Sequence, residues 1–217
     1  MGKRETRTFP ITELRASEDG KTLNGHAAVF NRWTQIGDAD WGFQECVRAG
    51  AFKADIESGA DVRCLFNHDS NCLLGRTASR TLRLSEDDSG LVFTADLPNT
   101  QLASDIRELV SRGDLSGCSF SFEVNEQRWT EEETDGQVTV KRELLSVKLY
   151  DVGPVTFPAY EQTDVSIRAL ADESRRCLRV NSPVGPNGVR TIEVLNDVSR
   201  QLAAIRIAAE TEFSKGR

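Results

Sequence analysis

The stretch that decides the fold is Leu115-Ser-Gly-Cys-Ser-Phe-Ser-Phe-Glu-Val124. Its residues alternate, with Cys118, Phe120, Phe122 and Val124 on one side and Ser119, Ser121 and Glu123 on the other, the period of a β-strand. The phenylalanines give it a face to bury, and the serines stand opposite them. Just upstream, Leu102, Ile106, Leu109 and Val110 recur at helical spacing between Asn99 or Thr100, which suit an N-cap, and Gly113, which suits a left-handed stop. A helix over 100–112 leading into the serine strand is predicted.

Outward from this unit the chain remains strand-rich. Thr81–Leu97 reads as a hairpin closed by the acidic turn Glu86-Asp87-Asp88-Ser89-Gly90. Phe9 and Ile11, the turn at residues 18–21 and the strand GHAAVF (25–30) read as another hairpin, with a strand expected at VRCLF (62–66). A short helix is expected over Ala51–Ser58, where Phe52 and Ile56 lie one turn apart ahead of Gly59. On the downstream side, Glu131–Gly136 reads as a solvated loop. RELLSVKLYDVGPV (142–155) then reads as a strand with Leu145, Val147, Leu149 and Asp151 in phase, placing an acid on the face expected to be buried. Residues 171–190 are charged and then rich in Pro, Gly and Asn, the composition of a linker. Thr191–Glu210 carries Leu195, Val198, Leu202 and Ile205 at helical spacing. The expected organisation is one domain over 1–170, a linker over 171–190, and an amphipathic helical tail over 191–217.

Composition narrows the function classes. The net charge of −7 with dispersed basic residues argues against a nucleic-acid surface, and no apolar run is long enough to span a bilayer. The basic N-terminus lacks the apolar stretch of a secretory signal, so a cytoplasmic protein is expected. Five cysteines at irregular spacing read as free thiols in a reducing compartment.

The residues that carry chemistry are few. Of the two histidines, His26 lies inside a strand and His68 in the loop FNHDSN, where a general base is reachable from a cleft. A loop histidine is by itself an ordinary surface residue, and spacing does not separate Ser119 from Ser121. Cys64-x3-His68-x3-Cys72, completed by Cys46 or Cys118, is a metal alternative, but it lacks the paired C-x2-C of common structural zinc sites, and no metal or other cofactor is expected. Cys118 beside Ser119 shares the phenylalanine face and reads as core. Asp151 and Glu143 are acids that, buried, need a hydrogen-bonded partner such as an imidazole.

Taken in order, GHAAVFN (25–31), RAGAF (48–52), LFNHD (65–69), LLGRT (73–77), DDSGLVFTADLP (87–98), LSGCSFSFEV (115–124) and DVGPVTFPAYEQTDVSIR (151–168) resemble the prohead protease family of tailed bacteriophages over roughly residues 10–170. The resemblance implies a β-rich α+β fold: a mostly antiparallel β-barrel with two or three flanking helices, related to the herpesvirus capsid maturation protease. It also implies a serine endopeptidase with His68 as base and Ser119 as nucleophile. The herpesvirus relatives use a second histidine as third member. Here His26 falls at a strand position that is often aromatic in the phage proteins, so Asp151 is expected instead, with Glu143 as alternative. An oxyanion site would come from backbone N–H groups aided by Arg76. The sequence departs from the family at Gly153, where serine is frequent, and at Ser121, where glycine is frequent.

The implied activity is cleavage of scaffold segments of the capsid protein, and of the protease itself, inside the immature capsid in the cytoplasm of the bacterial host. The capsid protein is then both substrate and docking partner, and a homodimer or higher assembly is compatible with the terminal apolar stripe. A non-catalytic scaffolding or head-assembly protein on the same barrel is the alternative.

Overall fold

The structure, a computed structural model, describes residues 4–9, 14–38, 40–134, 137–157, 164–182, 184–185 and 188–195. The expected positions Ile11, Asp135, Gly136, the segment 158–163 and the tail beyond Leu195 lie outside the described residues. Its strands are β1 (Glu5–Phe9), β2 (Arg15–Ala16), β3 (Thr22–Val29), β4 (Thr34–Ile36), β5 (Phe43–Val47), β6 (Arg63–Leu65), β7 (Leu73–Arg76), β8 (Leu82–Glu86), β9 (Gly90–Asp96), β10 (Gly117–Thr134), β11 (Gln137–Val155) and β12 (Arg190–Leu195). Helices α1 (Lys53–Glu57), α2 (Gln101–Arg112) and α3 (Asp164–Asn181) complete this strand-rich α+β fold.

The long antiparallel hairpin β10–β11 is the spine of the larger sheet, ordered β1-β10-β11-β5-β4. β12 adds to the outer half of β10, and β11 pairs in parallel with both β5 and β6, so the sheet is mixed. The smaller sheet runs β2-β3-β9-β8. Between the two lies the main core, where Phe120, Phe122, Val152 and Leu149 from the hairpin meet Leu23, Leu91 and Phe93 from the small sheet. Phe120 packs edge-on against Phe52 at 5.3 Å and is stacked with Phe122 at 4.9 Å. Burying one such ring stabilises the fold by about 2–3 kcal/mol.

Helix α2 covers this core with Ala103, Ile106 and Val110. Its start is capped as expected: the Thr100 hydroxyl accepts from the Ala103 N–H at 3.3 Å, and Gly113 ends it at φ +82°.

The barrel is unconfirmed, and three other expectations need correction. The described strands do not close into a barrel: the larger sheet ends at β4 and, through β6, at β7 on one side and at β1 and β12 on the other, and a single parallel bridge, Phe30 to Val47, joins it to the small sheet. The acidic stretch 131–136 is not simply a loop, because β10 runs on to Thr134 and β11 starts at Gln137. Lys141 offsets that charge by holding Glu132 across the ladder at 2.6 Å. Residues 171–181, expected in a linker, belong to α3. Ile167, Ala171, Ser174 and Leu178 fall on one buried stripe, and the first, second and fourth pack with Trp129, Phe43 and Val140 in a second core. Residues 191–195, expected to begin a helix, alternate Thr-Ile-Glu-Val and pair as β12 with residues 126–130 of β10.

Candidate active site

The inner end of the hairpin presents the serines. Antiparallel register pairs Ser119 with Gly153 and Ser121 with Asp151, so all four lie on the face opposite Phe120 and Phe122. That Asp151 lies there depends on an irregularity. Phe122 pairs with Leu149, leaving Tyr150 as the extra residue, and the bulge reverses the phase of β11. Asp151 is therefore out of phase with Leu149 and Val147. A second shift near Leu145 puts Leu144, not Leu145, into the core. The acid expected in phase with Leu149 thus lies on the opposite face, beside the serines.

His68 comes from the turn after β6. Asn67 and His68 both take left-handed φ values, +52° and +57°, a conformation costly for a non-glycine residue and held here from both sides. The Asn67 N–H donates to the Pro154 carbonyl at 3.0 Å, and its carboxamide exchanges hydrogen bonds with Thr156 at 2.8 and 3.1 Å. On the other flank the Asp69 N–H donates to the Phe66 carbonyl. The loop is pressed onto the end of β11 because residue 153 is glycine: a Cβ there would lie 2.0 Å from the Leu65 carbonyl oxygen.

These elements bring three side chains into line. His68 Nδ1 lies 2.5 Å from Asp151 Oδ1, and His68 Nε2 lies 2.6 Å from Ser119 Oγ. The other carboxylate oxygen of Asp151 accepts from the Ser121 hydroxyl and from the Arg4 guanidinium. Burial pushes the Asp151 carboxyl upward, but hydrogen bonds from His68 and Ser121 and the nearby positive charge outweigh it and hold it below the usual carboxylate range. An ionised Asp151 fixes the proton of neutral His68 on Nδ1 and leaves Nε2 as an acceptor aimed at Ser119. The arrangement can take a proton from Ser119 as its oxygen attacks an electrophile.

The contacts separate the two serines that spacing left equivalent: Ser119 touches the imidazole, whereas Ser121 donates to the acid. Glu143 is elsewhere, held by Arg48 at 2.5 Å and Arg128 at 3.1 Å. Arg76, expected near an oxyanion, is taken up by Asp61 in a two-pronged pair at 2.6 and 2.7 Å. His26 contacts Asp87 at 2.9 Å. As for a metal, Cys64 is fully buried in the core with its thiol pushed up by burial, and both ring nitrogens of His68 face Asp151 and Ser119.

Sequence reasoning missed the contribution of β1. Thr8 pairs with Ser119 and donates its hydroxyl to Ser119 Oγ at 3.1 Å, while Ser119 Oγ also donates to the Arg7 carbonyl at 2.8 Å. Arg4 reaches Ser121 and Asp151 from the same strand end. The only signal in the sequence was the polar alternation of Thr6 and Thr8, which pointed to no chemistry.

Among known proteins, the family model described as caudovirus prohead serine protease matches residues 10–175. No curated protein and no solved structure matches the chain.

Proposed function

The chain belongs to the caudovirus prohead serine protease family, and on that premise we propose that Ser119, His68 and Asp151 form its catalytic triad and that its substrate is the capsid protein of the immature head. The observation that carries this reading is the two-sided engagement of one imidazole, Asp151 on Nδ1 and Ser119 on Nε2.

The chemistry follows from those contacts. His68 Nε2 accepts the Ser119 proton as Oγ bonds to the scissile carbonyl carbon, and Asp151 stabilises the imidazolium that results. The proton passes from Nε2 to the departing amine as the C–N bond breaks, leaving an acyl ester on Ser119. Water, deprotonated by the same nitrogen, releases the acid and restores the serine. The developing oxyanion is served by backbone N–H groups. With Arg76 paired to Asp61, that residue has no part in this reading.

We place the activity inside the prohead, in the cytoplasm of the bacterial host, acting on scaffold segments of the capsid protein and on the protease chain itself. Among the described residues no helix is long and apolar enough to cross a membrane. The test is co-expression of the capsid protein with the intact chain, with Ser119→Ala and with His68→Ala, reading the masses of both proteins. Trimming only with the intact chain is the expected result. Equal trimming with Ser119→Ala would assign the cleavage to another nucleophile. Proheads that require the chain but are never trimmed would make it a scaffolding protein.

A further inference from the structure

The nucleophile of this site is closed. Ser119 has 0% of its surface exposed, whereas attack requires a carbonyl carbon to come within about 3–3.5 Å of its oxygen. What closes it is β1, whose Thr8 lies opposite Ser119 and whose Arg7 carbonyl accepts from the Ser119 hydroxyl. A serine has one proton to donate, and here the Arg7 carbonyl and His68 Nε2 both compete for it. From the same strand end, Arg4 occupies the second oxygen of Asp151.

β1 is also placed to leave. It stands at the end of the sheet order, pairs with β10 alone among the described strands, and precedes the matched residues 10–175. Its other face carries Glu5 and Arg7 into a buried cluster with Glu45 and Arg142, bound at 2.5–2.9 Å. Buried charges normally anchor a segment, because removing one partner strands the other. This cluster divides differently. β1 takes away one acid and one base, and the body keeps Glu45 paired with Arg142 at 2.8 Å. Departure of β1 leaves no net charge behind.

We propose that β1 is an intramolecular blocking strand, seated on the edge of β10 at residues 118–122 where an extended substrate peptide pairs, and that the site opens when such a peptide replaces it. The recognition is main-chain addition to a sheet edge. The inference rests on the reading of Ser119 as the nucleophile.

Labelling of Ser119 by diisopropyl fluorophosphate, read by mass, tests it. A recognition sequence for a site-specific protease is built between Phe9 and Leu14, so that the chain folds with β1 in place and is cut and washed afterwards. Removal of β1 is expected to raise the labelling rate by at least about 10-fold, as a blocked fraction above about nine-tenths requires. A synthetic peptide of residues 1–9 should slow it again. Labelling of the uncut chain at the rate of the washed one would overturn the blocking role and leave Ser119 as nucleophile. A cut strand that cannot be washed from the folded protein would equally overturn it, since the edge would not be exchangeable. No labelling after β1 has left, with β11 amides still protected from exchange, would reject Ser119 itself and the inference with it.

Discussion

Replacing Asp151 with asparagine removes one charge and one acceptor while leaving the side-chain volume almost unchanged. At its outer oxygen this side chain accepts from two donors, the Ser121 hydroxyl and the Arg4 guanidinium. An amide has one acceptor atom, and those donors draw its oxygen to their side. Its NH2 then faces His68 Nδ1, which must become an acceptor, so the ring proton moves to Nε2 and the base can no longer take a proton from Ser119. The expected loss in kcat is about 10³- to 10⁴-fold, or about 4–5.5 kcal/mol of barrier. Folding should be nearly untouched, because Arg4 is about half exposed and its pair is worth little once screened. The Tm should shift by no more than about 5 °C. The assay is turnover of a capsid-protein segment by purified enzyme, with thermal unfolding run in parallel. Retention of activity within about tenfold of the native enzyme, against the loss expected when the tautomer is wrong, would refute the assignment of Asp151. Glu143→Gln is the contrast: its ion pairs with Arg48 and Arg128 lie away from the imidazole, so turnover should stay within about threefold.

Gly153→Ala places a methyl group 2.0 Å from the Leu65 carbonyl. It should cost at least about 2 kcal/mol by forced displacement and reduce turnover by moving the histidine loop; unchanged urea unfolding and activity would contradict the close-approach argument. The Glu5 carboxyl is pushed up by burial but pulled further down by Arg142 and Arg7, from 4.5 to about 2. A depressed acid contributes stability that is complete above its unfolded value and lost as pH falls through the folded one. About 3 kcal/mol should therefore disappear between about pH 4.5 and 2, read from urea midpoints, with a shallower decline in Glu5→Gln. Thr100→Ala should lower stability by about 1 kcal/mol through loss of the α2 cap, with no change in turnover per folded molecule.

What could be read from the chain alone was the part governed by short-range chemistry. The α2 helix between Thr100 and Gly113, the β8–β9 hairpin and the serine strand follow from caps, turn residues and alternation. His68 and Ser119 came from ordered resemblance and Asp151 from its place on a strand expected to be buried, and the fold brings the three together. The acid's face was misjudged because alternation assumes an unbroken period, and the bulge at Tyr150 breaks it without a glycine or proline to mark the place. The α3 helix was lost for another reason: the Pro and Gly residues beyond Asn181 coloured the reading of the charged stretch before them, although Ile167, Ala171, Ser174 and Leu178 were at helical spacing. The role of β1 was illegible, because it depends on a pairing across more than a hundred residues that local pattern does not encode.

A second long-range pairing, that of β6 with β11, decides when the proposed triad is complete. Ser119 and Asp151 arrive together as soon as the β10–β11 hairpin zips, but the imidazole must travel from a turn 51 residues before the serine and 83 before the acid. It docks only when β6 has joined β11 in parallel, a contact whose loop-closure entropy makes it late in folding. A nascent or partly folded chain thus holds Ser119 beside Asp151 without His68, and the proposed triad is complete only after that long-range contact has formed.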